Sequence, residues 1–133
     1  MTKKNINNKN INNKYKQIME DIISNNQKRV CLDMVSIGMY DDFGNDILSL
    51  VVACMKNENE WIRKAGLLCL YHQYIDKRDS VCNEEFIDLV LIGKNDKSDI
   101  VLNIAEEIIS EIREFSPKNY SIIKKIIDGK EMS

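Results

Sequence analysis

NENEWIRKAGLLCL, residues 57–70, is the stretch on which the fold turns. Two asparagines and two glutamates lead into an apolar run that holds one arginine and an Ala-Gly pair. Asn57 and Glu60 stand three apart, the spacing of a capping box, in which two side chains satisfy backbone N–H groups at a helix start. That cap predicts a helix over residues 61–75. One of its lines carries Ile62, Gly66, Cys69 and Gln73, and a second carries Trp61, Ala65, Leu68, His72 and Ile75.

The same helical spacing recurs on both sides. Tyr15, Ile18, Met19, Ile22 and Ile23 make one apolar stripe, and SNNQ at residues 24–27 interrupts it, with Asn25 or Asn26 free to cap the second helix. Val30, Cys31, Met34, Val35 and Gly38 make the next stripe. After YDDFGND at residues 40–46, Asn45 can cap a third helix. Its core ILSLVVACM is apolar nearly all round, with a buried strand as the rival reading of so short a run.

Downstream, residues 76–83 form a loop that ends on Asn83 as a cap, with Glu84 and Glu85 in the first turn of helix five, where they complement the dipole. Asp96 and Asp99 repeat the three-residue cap spacing before a sixth helix with Ile100, Val101, Ile104, Ala105, Ile108, Ile109 and Ile112 on its apolar side. Ser116-Pro117 starts a seventh helix that Gly129 ends.

The helices fall into pairs. Tyr15 precedes Val30 by 15 residues, Ile47 precedes Ile62 by 15, and Phe86 precedes Ile100 by 14. The second-helix markers are 32 and 38 residues apart, near the period of helical repeats. The expected fold is all-α: about seven helices as three αα-hairpins plus a C-terminal helix, each hairpin burying one face against the next. Residues 1–13 (with KNINN twice) are expected to form a disordered or frayed polar leader, and residues 14–133 a single domain. A basic arm that grips an anion is the second reading of the leader.

Residues 57–70 resemble the second helix of a HEAT-type repeat, in which an acidic or amide cap leads to Val-Arg, small residues and a closing leucine. Asn57 and Asn59 stand where that family has aspartates, Ile62-Arg63 match Val-Arg, Ala65-Gly66 the small pair, and Leu70 the closing leucine. The resemblance implies that Asn57, Ile62, Arg63, Gly66 and Leu70 are structural, with Arg63 bonded to caps or loops of a neighbouring repeat. Residues 95–109 keep the cap and apolar spacing but place Val101 where the arginine belongs. Those departures, with one proline in the whole chain, point to a compact HEAT-like bundle and not a regular solenoid.

Charge narrows the function. Five lysines and no acid precede Glu20, leaving fourteen basic residues against twenty-one acidic ones in the remainder, a net of −7. Such a body repels phosphate, so nucleic acid is not the expected partner, and a HEAT-like DNA glycosylase, which needs a cationic concave surface, is disfavoured. No run approaches the ~20 apolar residues of a membrane helix. The four cysteines form no CxxC pair and there is one histidine, so structural thiols in a reducing cytoplasm are preferred to a zinc site.

Catalytic constellations lack parts. His72 would need an orienting acid from elsewhere to act as a base, and a surface or interface histidine is the simpler reading. Glu106, Glu107, Glu111 and Glu114 lack the Glu-x-x-His partners of a di-metal bundle, leaving a solvated face or an acidic patch for a basic partner. The expectation is therefore a non-enzymatic binding protein without cofactor or metal. More narrowly, it is an immunity protein that neutralises a cognate bacterial toxin, a basic nuclease domain, as in contact-dependent inhibition. A HEAT-like adaptor in a larger assembly is the alternative. The candidate contact residues are Trp61, Tyr71, His72, Glu106 and Glu107. For Trp61 two readings compete, packing in the core and anchoring a partner.

Overall fold

A computed structural model describes the backbone of residues 3–132 and the side chains of residues 13–129. Among these residues there are seven helices and no strand: α1 (Lys3–Ile23), α2 (Gln27–Tyr40), α3 (Asn45–Met55), α4 (Glu60–Lys77), α5 (Glu84–Lys94), α6 (Asp99–Phe115) and α7 (Pro117–Met132). One 3-10 turn, Arg78–Ser80, joins α4 to the loop before α5. The strand reading of residues 47–55 gives way to helix α3, which buries Ile47, Leu48, Leu50, Val51, Cys54 and Met55. The backbone of residues 3–13, most of the expected polar leader, belongs to α1, while the side chains of residues 1–12 lie outside the described residues.

The chain folds as three αα-hairpins, α1–α2, α3–α4 and α5–α6, with α7 packed on α6. The second helices α2, α4 and α6 lie side by side in one layer, α4 at the centre. That placement explains why residues 57–70 read so clearly. A helix with neighbours on three sides must be apolar over most of its girth, and α4 buries Ile62, Ala65, Leu67, Cys69, Leu70 and Tyr74.

Small residues set the spacing of the layers. A Cβ on Gly38 would sit 2.9 Å from the Cα and carbonyl oxygen of Cys69, so α2 and α4 meet backbone to backbone. A Cβ on Gly66 would lie 2.8 Å from the Cβ of Cys54, which brings α4 down on α3. Between α4 and the last hairpin the core holds Tyr74 and Phe86, ring centroids 6.1 Å apart, and the Tyr74 hydroxyl meets Ser116 Oγ at 2.6 Å.

Several helix ends differ from the expectation. The α4 cap is Asn59, whose Oδ1 accepts from the Trp61 N–H at 2.9 Å, and not Asn57. Asn45 is the first residue of α3, with Gly44 at the cap. Ser98 holds the cap position of α6, because Asp96 is engaged elsewhere. Asn83 caps α5 as read, accepting from the Phe86 N–H at 2.9 Å. Helix α7 runs through Gly129 to Met132, since one exposed glycine costs only about 1 kcal/mol and nothing else competes for the backbone there. Arg78 ends α4 with φ 51° and ψ −126°, a positive-φ conformation that glycine enters readily and other residues seldom do. Its guanidinium lies 4.1 Å from the Phe115 ring centroid and 3.4 Å from Glu111 Oε2.

Candidate functional site

The polar and aromatic residues of α4 fall into two groups, those that tie hairpins together and those that face outward. Arg63 belongs to the first. Its side chain is 8% exposed and lies against Asp96, itself 10% exposed, in the loop before α6. Nε donates to Asp96 Oδ2 at 2.9 Å and one terminal nitrogen to Oδ1 at 3.1 Å, the bidentate fork that a lysine cannot reproduce. The other terminal nitrogen donates to the carbonyls of Asn57 and Glu58 at 3.0 and 2.8 Å. Burial pushes the Asp96 carboxyl up, yet the bonds from Arg63 and the Ser98 N–H outweigh it and hold the group below the usual carboxylate range.

Asn57 is the matching tie on the other side. Its Nδ2 donates to the Ile22 carbonyl at 3.1 Å and to Asn25 Oδ1 at 2.8 Å, while its Oδ1 accepts from the Asn59 N–H at 2.8 Å. Asn59 Nδ2 donates to Gln27 Oε1 at 3.0 Å, and Ser98 Oγ donates to Glu60 Oε2 at 2.6 Å. At the far end of the layer the buried Gln73 amide donates to the Gly38 and Asp41 carbonyls at 2.9 and 2.8 Å. Ile62, Gly66 and Leu70 are buried. All five residues that the repeat resemblance marks as structural are therefore engaged inside the protein.

The outward side of α4 is different. Trp61 is 43% exposed with Lys64 Nζ 5.4 Å from its ring centroid, Ile75 is exposed, and Lys64, Leu68, Tyr71 and His72 are half-buried. The core reading of Trp61 fails because only Ala65 of its line is buried, while its larger members lie on the side of α4 that no helix covers. Tyr71 and His72 stand edge to face, 5.6 Å between centroids.

Neighbouring helices extend this surface. Cys31 Sγ lies 3.7 Å from the Trp61 carbonyl oxygen, so the Cys31–Gly38 line of α2 runs along α4. Val30, Met34 and Ile37 turn into the core, which puts Leu32 (60% exposed), the half-buried Val35 and Met39 (45% exposed) on the outward side beside Trp61. On the opposite flank α6 supplies charge. Partial burial and the carboxylates of Glu111 and Glu107 push the Tyr71 hydroxyl up, against the opposing charge of Arg78, whose guanidinium lies 3.4 Å from Glu111 Oε2. Glu106 is one residue, about 100° of helix, from Glu107 and so points away from that seam. Of the five expected contact residues, Trp61, Tyr71, His72 and Glu107 share one face, and Glu106 does not.

No family model, curated protein or solved structure matches the chain.

Sequence reading missed Leu32 and Met39. Their signal was present, since neither fits the Val30, Met34, Ile37 stripe, yet both are large and apolar. Among the described residues no three His, Cys, Asp or Glu side chains converge as metal ligands, and no helix is long and apolar enough to cross a membrane. Cys54, Cys69 and Cys82 are buried, and burial pushes the Cys69 and Cys82 thiols up to about 12 and about 11, so they stand as neutral thiols near neutrality. The outward α2–α4–α6 face thus carries exposed apolar and aromatic side chains, with Lys64 over Trp61 and the Arg78–Glu111 pair on its α6 flank.

Proposed function

We propose that the chain is a protein-binding scaffold that acts by occupying its partner, and that the partner is a toxin with a basic surface, neutralised as by an immunity protein. One observation carries the reading: Leu32 and Met39 of α2 and Trp61 and Ile75 of α4 are exposed on one side of the second-helix layer, with Glu107 of α6 on its other flank. Apolar and aromatic anchors in the middle of a contact supply most of its affinity, and charge at the rim sets partner choice and association rate. The −7 balance beyond the N-terminal lysines supports a cationic partner, and the repeat-like tie of Arg63 to the next hairpin supports a scaffold role.

The test starts from the protein encoded immediately upstream of this chain's gene. That protein, produced alone, should arrest growth, and co-production of this chain should restore it. Trp61→Ala with Glu107→Lys should abolish the rescue while the circular dichroism spectrum stays helical. An upstream product that is harmless, or that is rescued equally by the double variant, would defeat the immunity reading. Stable co-purification with assembly subunits would replace it with the adaptor role.

A further inference from the structure

The opposite side of the molecule carries a second surface. Helix α5 packs on α4 and α6 but barely touches α3 or α7, so an open trough runs along each of its flanks. The trough toward α3 has a volume of about 560 Å³ and a floor of Leu48, Val52 and Leu89. The trough toward α7 has a volume of about 330 Å³ and a floor of Ile87, Ile122 and Ile126. Between them stands the exposed ridge of α5 with Glu84, Glu85 and Asp88, of which Asp88 borders both troughs. Among the described residues none of these three acids has an ion-pair partner, and no lysine or arginine lines either trough.

We propose that the α5 ridge and its troughs dock a basic segment of another polypeptide, with lysine or arginine stems on the apolar floors and their cationic heads at Glu84, Glu85 and Asp88. Long basic side chains bury their methylenes against apolar surface while the charged head stays at a polar edge, which is the pattern these troughs present. An uncharged apolar occupant would strip water from three carboxylates without replacing it, and an acidic one would be repelled. The site is separate from the α2–α4–α6 face and does not depend on it.

The probe is a fluorescein-labelled octapeptide of alternating lysine and glycine. Its control carries diaminobutyrate in place of lysine, two fewer methylenes per side chain, and both peptides are assayed at pH 6, where both side-chain amines are protonated. Anisotropy should report binding of the lysine peptide that 0.5 M salt removes. The control should bind about tenfold more weakly, because it lacks the apolar stems. Glu85→Gln with Asp88→Asn, both at exposed positions, should weaken the lysine peptide by about threefold to tenfold. Trp61→Ala should leave its affinity unchanged. Amide chemical shifts should move at Ser49, Val52, Glu85 and Leu89. Equal binding of both peptides, indifference to the double variant, shifts gathered on α6 instead, or no binding at low salt would each overturn the proposal. Loss with Trp61→Ala would relocate the binding to the opposite face and overturn it too.

Discussion

Arg63→Ala should be among the costliest single substitutions for the fold. The side chain makes four hydrogen bonds that join three segments: the α3–α4 loop at Asn57 and Glu58, helix α4 itself, and Asp96 before α6. Alanine leaves a carboxylate that is 10% exposed without its cation, and two carbonyl oxygens without donors. Removing one partner of a buried pair costs about 3–5 kcal/mol, most of it the penalty of the stranded charge. For a chain of this length that is a fall in melting temperature of roughly 10–18 °C, at about 3–4 °C per kcal/mol. Asp96→Ala on its own should cost a similar amount by stranding the guanidinium. The double variant strands neither charge, so its loss should fall short of the sum by about 1–3 kcal/mol. Thermal and urea unfolding of the wild type and the three variants give all the quantities. A loss below about 1 kcal/mol for Arg63→Ala, or additive losses in the double variant, would refute the claim that this pair couples the second and third hairpins.

Acid should expose the same pair. The Asp96 carboxyl is held below its ordinary value in the folded state, so the unfolded chain binds its proton at higher pH than the folded one does. Its contribution is then complete above the unfolded value of about 4 and is lost as pH falls through the folded value. Urea titrations between pH 6 and pH 2 should show that loss, and Asp96→Asn should flatten it. The glycines should divide by surroundings. Gly38→Ala forces a Cβ to 2.9 Å from the Cys69 backbone and should cost about 1–3 kcal/mol in thermal unfolding, whereas Gly129→Ala meets nothing within 4 Å and should gain about 0.5–1 kcal/mol. Trp61→Ala should cost about 1–2 kcal/mol of stability, below the ~3–5 of a core tryptophan, because the residue is already 43% exposed. The same variant should bind the partner at least about tenfold more weakly by titration calorimetry.

Helix number and pairing were legible because they rest on periodicity, and the 15-residue offsets from Tyr15 to Val30 and from Ile47 to Ile62 survive any shift of a boundary. Caps were less so. Asn57 and Asn59 are chemically identical two residues apart, and what separates them is tertiary. Asn57 is drawn to the Ile22 carbonyl and Asn25 across the hairpin boundary, leaving Asn59 to cap α4. In the same way Asp96 is taken by Arg63, and Ser98 stands at the start of α6 in its place. No local rule can show that choice. The outward face was half legible for a related reason. A stripe of Trp61, Leu68, His72 and Ile75 has the same spacing whether a helix covers it or not, and only the positions of α2 and α6 decide.

Those positions also explain how one helix can be the keystone of the stack and still present an open face. The polar ties between hairpins gather at the ends of the second-helix layer: Asn57, Asn59, Glu60 and Arg63 at one end, Gln73, Lys77 and Arg78 at the other. The helices are registered by these ends and by the glycine contacts beneath, so the middle of the outward face is not needed to hold the stack together. Leu32, Met39, Trp61, Leu68 and Tyr71 can then remain partly in water at no cost to register. A buried bidentate pair is a strong determinant of geometry and a weak source of net stability, since two charges must first leave water. Arg63–Asp96 therefore fixes where α6 lies against α4, and with it how far the Glu107–Glu111 edge stands from Trp61. If partner binding reads that separation, loosening the pair should weaken binding without touching any contact residue. Arg63→Lys keeps the charge and loses the fork, and it should lower partner affinity while the Trp61 surface stays chemically intact.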